Sequence, residues 1–179
     1  MTKKILKLLT ESKLKYEVVK HKKVFTAYDA AATLHVKLNQ IAKSLLVKTN
    51  KPLESGKKPY AIVIVPADKN VDLKKLAKVM TTKDLRITKV EIPKESAMKT
   101  HFKVKPGAMS AFGSLYKISV FVDKSLKNEV IFFSGEFTES IKMKVVDFVK
   151  LENVKAGNFS VAKKIKKIKK PISWYCCFS

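Results

Sequence analysis

Two apolar runs of strand length most constrain the fold of this chain. Residues 41–47 (IAKSLLV) and 60–65 (YAIVIV) are rich in branched apolar side chains. A strand that is apolar on both faces must be buried on both, which requires a sheet covered by other elements. Lys43 stands near the start of the first run. The sequence therefore places a cation at the mouth of a buried strand, where low-dielectric walls strengthen its charge.

The elements around these runs predict a mixed sheet with short helices. Helices are expected over residues 2–12, 27–34, 73–80, 96–102 and 145–151, and strands over residues 16–20, 43–48, 60–65, 85–92, 116–122, 130–134 and 140–144. Thr26 and Asp72 stand where two of these helices need N-caps. Several strands are close neighbours in sequence, which disfavours a purely parallel sheet. We expect an α/β (α+β) fold with a mixed, curled or barrel-like sheet of about six to seven strands, surrounded by short helices.

The length and the local composition predict one domain followed by a tail. The chain has 179 residues, of which 46% are hydrophobic, so it suits one domain with a real core. The composition changes at about residue 156, and residues 163–170 carry six lysines around two isoleucines. We therefore predict a folded domain over residues 1–155 and a basic tail over residues 156–179.

The charge of the chain indicates a polyanionic partner but does not identify it. Lysine and arginine number 38 against 15 acidic residues, which gives a formal net charge of +23. Such a field attracts polyanions and speeds their arrival. A lysine-rich genome would produce the same excess on solvated faces, so the charge alone does not establish nucleic-acid binding.

Several classes of protein and of site find no support in the sequence. The N-terminal residues lack the pattern of a signal or transit peptide, and residues 60–65 are too few to span a bilayer. Cys176 and Cys177 are the two cysteines, so the body has no disulfide and no thiolate zinc site. A phosphate-binding glycine loop and a nucleophile elbow are both absent. We expect a cytoplasmic protein without a metal or other cofactor.

Short segments of the chain follow one another in an order that resembles a known family. They are His21 and residues 25–31 (FTAYDAA), 41–47 (IAKSLLV), 60–68 (YAIVIVPAD), 71–77 (VDLKKLA), 105–113 (KPGAMSAFG), 120–123 (VFVD) and 133–135 (FSG). Their order resembles the YbaK family of aminoacyl-tRNA deacylases, relatives of the editing domain in bacterial prolyl-tRNA synthetase. The resemblance covers roughly residues 1–152. It implies a YbaK-like fold and a hydrolase that clears mischarged amino acids from transfer RNA.

The resemblance also implies which residues act on the substrate. The family lysine corresponds to Lys43, and the family's Gly-x-x-x-Pro loop corresponds to Gly107 through Ala111. We expect Lys43 and Gly107 to be catalytic, because an ammonium can hold the ester carbonyl or the terminal phosphate and a glycine loop can present backbone N–H groups. A hydroxyl of the substrate's own sugar would orient the attacking water. The expected substrate-binding residues are His21, Thr26, Ala108, Met109, Ser110, Ala111 and Gly135.

The chain departs from the family pattern at three places. Ala111 stands where the loop proline is expected, which predicts a less rigid loop and leaves the rate and the side-chain specificity open. His35 and the pair Thr100 and His101 stand where family members often carry glycines. These departures do not remove the lysine.

Ordinary structural explanations exist for several of these residues. Lys43 alone would fit a solvated lysine at a strand start, and His21 would fit a strand end at the surface. Ser110 fits a turn hydroxyl better than a nucleophile, and Gly135 fits a strand crossing. Phe25 is expected in the core rather than against a substrate.

Three functions stay open from the sequence. The first is a trans-editing deacylase for Ala-, Pro- or Cys-type esters of transfer RNA. The second is a catalytically weak or inactive module of the same fold that binds transfer RNA or a synthetase. The third is a membrane-attached adaptor, because the last four residues (CCFS) fit a C-a-a-X motif behind a polybasic run and predict prenylation of Cys176. A chance match in an RNA-binding tail is the alternative, and a membrane partner is expected only with prenylation.

Overall fold

The computed structural model describes residues 3–53, 58–105 and 107–163. Within these residues the chain forms five α-helices, ten strands and two short 3-10 helices, Leu38–Gln40 and Gly113–Tyr116. The helices are α1 (Lys3–Ser12), α2 (Ala27–Thr33), α3 (Leu73–Met80), α4 (Glu95–Phe102) and α5 (Val145–Leu151). The strands are β1 (Tyr16–Lys20), β2 (Ile41–Thr49), β3 (Tyr60–Pro66), β4 (Lys69–Val71), β5 (Val90–Glu91), β6 (Ser119–Asp123), β7 (Glu129–Glu136), β8 (Glu139–Lys144), β9 (Lys155–Gly157) and β10 (Ser160–Ala162).

The main sheet is mixed and runs in the order β1-β8-β7-β2-β3-β6-β9. The pairs β1–β8, β8–β7 and β2–β3 are antiparallel, whereas β7–β2, β3–β6 and β6–β9 are parallel. Strand β5 pairs with the far end of β2, and β10 pairs with β4 in a separate two-stranded sheet. The predicted mixed, curled sheet of about six to seven strands with short helices is confirmed, with β5 as an additional short strand.

Strand β3 lies at the centre of the core because both of its faces are apolar. Ile62 and Ile64 belong to one buried cluster, and Val63 and Val65 belong to a second cluster on the opposite face. All four side chains are fully buried, and each such burial contributes roughly 1.5–3 kcal/mol. Strand β3 therefore holds its neighbour β2 in a fixed place within the sheet.

The two predicted helix caps are present. Thr26 Oγ1 accepts a hydrogen bond from the Asp29 N–H at 3.1 Å, and the Asp29 carboxylate accepts one from the Thr26 N–H at 3.1 Å. Asp72 Oδ1 accepts the N–H groups of Lys74 and Lys75 at 3.0 and 3.1 Å. These bonds satisfy amide groups that the first turn of a helix leaves without partners, and so they fix where α2 and α3 begin.

The predicted strand over residues 85–92 is wrong for most of its length, since only Val90–Glu91 forms a strand. Ile87 is buried, which produced the apolar alternation in the sequence. Two of the backbone N–H groups there bond to side chains instead of a neighbouring strand. The Ile87 N–H donates to Thr81 Oγ1 at 3.1 Å, and the Thr88 N–H donates to Asn50 Oδ1 at 3.1 Å.

The fold continues past the domain boundary predicted at residue 155. Strand β9 pairs with β6, β10 pairs with β4, and Phe159 between them is fully buried. Asp123 Oδ2 accepts the N–H groups of Phe159 and Ser160, each at 2.7 Å. Residues 156–162, predicted as the start of the tail, therefore belong to the folded part.

The remaining tail, residues 164–179, lies outside the described residues. Cys176 falls there, and its lipidation stays a prediction. Among the described residues, no helix combines the length and the hydropathy needed to cross a membrane.

Candidate active site

A cavity of about 480 Å³ opens where strands β2 and β7 part. The two strands pair only at Ile41 and Ala42, whereas β2 stays paired with β3 as far as Lys48. Beyond Ala42 the β7 side of β2 is therefore an open edge until β5 joins at Lys48. Alternate residues of an antiparallel strand point their N–H and C=O groups to each side. The open edge thus supplies backbone polar groups to the wall of the cavity.

Apolar side chains from several elements form much of the wall. They are Ile92, Met98, Met109, Ile131 and Phe133. Polar side chains interrupt this surface at a few places, chiefly Lys43, Ser44, Asn70, Glu95, Ser140 and Lys163. A mainly apolar cavity with a few polar groups is the usual composition of a small-molecule site.

Lys43 lines this cavity, as the sequence predicted. Its Nζ donates a hydrogen bond to the Lys69 carbonyl oxygen at 2.6 Å. Burial and then the nearby charge of Lys163 lower the pKa of Lys43 to about 8, and Asp68 partly opposes both. Among the described residues, no carboxylate forms an ion pair with Lys43. The group is therefore a cation at neutral pH that loses its proton only slightly above it.

Gly107 lies in the wall of the same cavity. Its φ is +78°, in the left-handed region that favours glycine. A Cβ at this position would lie 3.5 Å from the Phe25 carbonyl oxygen, so the backbone conformation, rather than space, calls for glycine. The structure thus brings together the two residues predicted to be catalytic. Two of the predicted substrate-binding residues, Thr26 and Met109, line the cavity with them.

The loop after Gly107 is held by hydrogen bonds despite the missing proline. The Ala111 N–H donates to the Phe133 carbonyl oxygen at 3.0 Å, a bond that a proline could not make. The Ser110 N–H donates to the Tyr116 hydroxyl at 3.1 Å, and Ser110 Oγ donates to the same Phe133 carbonyl at 3.3 Å. These bonds tie the loop to β7 and to Tyr116.

Three predicted substrate-binding residues of this loop lie behind the cavity wall. Ala108, Ser110 and Ala111 are buried and do not line the cavity. Gly135 lies behind them with φ of +98°, and a Cβ there would come within 3.3 Å of Ser110 Cβ. These four residues do not line the cavity, because the loop turns its backbone and small side chains toward β7. They support the wall, and their contact with a substrate stays a prediction.

His21 does not line the cavity but contacts Ser140, which does. Its Nε2 is hydrogen-bonded to Ser140 Oγ at 2.9 Å, and its Nδ1 lies 2.8 Å from the Lys22 carbonyl oxygen. Ser140 is the member of this pair that lines the cavity. His21 therefore meets the cavity wall through its bond to Ser140, and its contact with a substrate stays a prediction.

Sequence reasoning missed three residues of the site. Ser44 Oγ is buried and has no hydrogen-bond partner among the described residues. Lys163 lines the cavity from beyond the predicted domain boundary. Phe25, expected in the core, is 61% exposed at the rim, where its ring packs 5.1 Å from that of Phe137. Only Ser44, next to Lys43 in the same strand, could have been suspected from its position in the sequence.

The fold is shared with solved structures at low sequence identity. The crystal structure of a hypothetical protein superposes with a TM-score of 0.75 at 17% identity, covering 89% of this chain and 100% of that one. A proposed trans-editing enzyme for prolyl tRNA synthetase superposes with a TM-score of 0.71 at 15% identity, covering 88% and 95%. Identities this low show a common fold alone.

No curated protein matches the sequence significantly. Residues 21–151 match the family model of the aminoacyl-tRNA editing domain. This match spans well over half of the chain, includes Lys43 and Gly107, and agrees with the fold of the solved structures. The chain therefore belongs to the family of aminoacyl-tRNA editing domains.

Proposed function

We propose that the protein is a trans-acting aminoacyl-tRNA deacylase, a hydrolase that cleaves the ester of mischarged transfer RNA. The observation that carries this proposal is the shared cavity of Lys43 and Gly107 in a chain of the editing-domain family. The cavity joins an ammonium group, an open strand edge and a glycine whose backbone a substrate can approach. These are the groups that an ester hydrolase needs for positioning and for charge stabilisation.

The chemistry proceeds by attack of water on the ester carbonyl. The carbonyl oxygen becomes an oxyanion, which the ammonium of Lys43 and the backbone N–H of Gly107 stabilise. A hydroxyl of the terminal ribose orients the water, and the ribose oxygen that leaves takes up a proton. Apart from the attacking water, every group in this scheme comes from the chain or from the substrate.

The amino acid removed is expected to be small and largely apolar. The wall around the cavity is formed mainly by aliphatic, methionine and phenylalanine side chains, which favour a side chain without charge. We propose Ala-, Pro- or Cys-type esters as substrates. The partners are then the aminoacylated end of transfer RNA and a synthetase that produces the error, in the cytoplasm.

A panel of mischarged transfer RNAs tests this proposal. Wild type should release the amino acid from at least one of the alanyl, prolyl and cysteinyl esters. Lys43→Ala should lower that rate by about 100-fold or more, the usual effect of removing one oxyanion donor. Lys142→Ala removes a lysine paired with Glu17 and Glu129, outside the cavity wall, and should keep the rate. Full turnover by Lys43→Ala would refute its role.

A catalytically weak module that binds transfer RNA or docks on a synthetase is the second candidate. The bond from Lys43 Nζ to the Lys69 carbonyl favours it, because one of the three donors of the ammonium is already engaged. This candidate predicts binding of transfer RNA that weakens steeply with salt, without hydrolysis of any ester in the panel.

A further inference from the structure

The cavity contains a second lysine that comes from outside the family match. The match ends at residue 151, yet Lys163 lines the same cavity as Lys43. Strand β10 pairs with β4, with Ala162 opposite Lys69, and this pairing delivers the next residue to the cavity. Lys163 Nζ then donates hydrogen bonds to the Ala67 carbonyl oxygen and to the Tyr28 hydroxyl.

We propose that Lys163 is a second anion-binding residue of this cavity, and that with Lys43 it holds a phosphate of the RNA acceptor end. This inference rests on the proposed function and deepens it. The nucleotide that carries the ester has a 5′-phosphate, so its sugar, its ester and one phosphate enter the site together. Lys163 is thus a positioning residue, which fixes the phosphate and thereby the ester.

The arrangement of the two ammonium groups supports an anion between them. Lys43 and Lys163 bond to the carbonyl oxygens of Lys69 and Ala67, which stand two positions apart. Among the described residues, neither ammonium forms an ion pair with a carboxylate. Two cations held close in a partly desolvated site repel each other, and a phosphate replaces this repulsion with charge-assisted hydrogen bonds.

Hydrogen-bonding capacity remains for such a phosphate. Each lysine ammonium has three donors, of which Lys43 uses one and Lys163 uses two within the described part of the chain. Lys43 therefore has one donor for the oxyanion and one for the phosphate, and Lys163 has one for the phosphate. The other charged or titratable groups around the site are Asp68, which faces Lys43, and Glu95 and Tyr28 in the wall. The local charge of the pair is thus only partly compensated.

A purely structural role is the competing explanation for Lys163. Its bonds to Tyr28 and Ala67 could simply fasten the end of β10 to the body of the fold. That role predicts a loss of stability when the ammonium is removed, but no preference for a phosphorylated ligand. The two explanations therefore differ in a measurement of binding.

The test compares two probes on the full chain. They are 3′-alanylamino-3′-deoxyadenosine, which carries an amide in place of the ester, with and without a 5′-phosphate. Wild type should prefer the phosphorylated probe. Lys163→Met should weaken its binding by about 10-fold or more, as expected for a hydrogen bond to a charged group, and leave the other probe unchanged. Lys163→Arg should retain most of the affinity, and Lys124→Ala, an exposed lysine outside the cavity wall, should alter neither probe.

The pH profile gives a second readout, which reports the charge of Lys163 beside Lys43. Binding of the phosphorylated probe should weaken as pH rises past the pKa of Lys43, about 8. Lys163→Met removes a neighbouring positive charge, so it should shift this decline to higher pH. Lys163→Gln, which keeps a hydrogen-bond donor, replaces Lys163→Met if thermal melting shows that the latter is unfolded.

Two results would overturn the inference while the proposed function stands. They are equal binding of both probes by wild type, and equal weakening of both probes by Lys163→Met. If wild type binds neither probe and hydrolyses no ester of the panel, the proposed function fails and this inference fails with it.

Discussion

Two lysines of the same sheet, Lys43 on β2 and Lys142 on β8, have opposite surroundings. Lys142 Nζ lies 3.3 Å from Glu17 Oε2 and 3.2 Å from Glu129 Oε2, and these hydrogen bonds raise its pKa. Lys43 faces a cavity, where burial and then Lys163 lower its pKa to about 8. One lysine is compensated and solvated, whereas the other is partly desolvated beside a like charge.

The contrast distinguishes the surroundings of Lys43 from the general charge of a chain with 38 basic residues. Exposed ion pairs such as those of Lys142 contribute little to stability, because water screens them. A partly desolvated cation without a carboxylate partner destabilises the fold. Such a cation is typical of sites where a ligand supplies the missing negative charge. The net charge thus describes the long-range field around the protein, and the surroundings of Lys43 describe its site.

The largest expected difference between the two lysines is in chemical reactivity. At pH 8 about half of Lys43 is neutral, given a pKa of about 8, whereas an ordinary lysine is neutral in well under 1% of molecules. Trace acetylation followed by peptide mass spectrometry should therefore label Lys43 roughly 10- to 100-fold faster than Lys142. The phosphorylated probe should protect Lys43. Equal labelling of the two lysines at pH 8 would contradict the proposed difference in surroundings.

Stability should respond to the two lysines with opposite sign. Lys43→Met replaces a half-buried cation by an apolar side chain of similar size, so the free energy of unfolding at pH 7 should rise by up to about 1 kcal/mol after solvent screening. Lys142→Met removes exposed ion pairs and should lower the free energy of unfolding slightly. Urea denaturation of both variants measures the two changes.

Urea denaturation repeated over a range of pH isolates the contribution of Lys43 to the free energy of unfolding. Its pKa is lower in the folded state than the ordinary value of 10.5, so the unfolded chain binds more protons between these values. The destabilisation is complete below about pH 8 and disappears as pH rises toward 10.5, so wild-type stability should gain in this window relative to Lys43→Met. Parallel pH profiles for the two proteins would show that the burial of Lys43 has no energetic consequence.

The parts of the fold that could be predicted from the sequence carry local signals. Strand β3 is apolar throughout, and α3 has Asp72 at its start and apolar residues on one face, so composition and caps sufficed. Strands β4, β9 and β10 have three residues each and no usable period. They form because of long-range pairing and because Asp123 accepts two N–H groups from residues 159 and 160.

The candidate site also contains residues with a local sequence signal and a residue without one. Lys43 and Gly107 were found because each stands in a segment whose neighbours resemble a family. Lys163 opens a run of lysines and has no local signal that separates it from the others. Its contact with Ala67 spans 96 positions and depends on the pairing of β10 with β4. Only the fold could distinguish this lysine from the rest of the basic run.

The smallest expected effect concerns the serines near the two lysines. Ser44 follows Lys43, and its hydroxyl is buried without a partner in the described part of the chain. Ser140 lies two positions before Lys142 and is bonded to His21 at 2.9 Å. Ser140→Ala should therefore lower the free energy of unfolding by about 1 kcal/mol, and Ser44→Ala should change it by less than about 0.5 kcal/mol.

The rate of ester hydrolysis should respond to Ser44→Ala, although the stability of the fold should not. A substrate that bonds to Ser44 Oγ supplies the partner that the folded chain lacks, so Ser44→Ala should slow ester hydrolysis several-fold at unchanged stability. Thermal melting and single-turnover hydrolysis on the same samples provide both values. If Ser44→Ala loses as much stability as Ser140→Ala, the hydroxyl has a structural partner. Ser44 would then have no proposed contact with the substrate, and Lys43 would be the residue of β2 that is proposed to bind it.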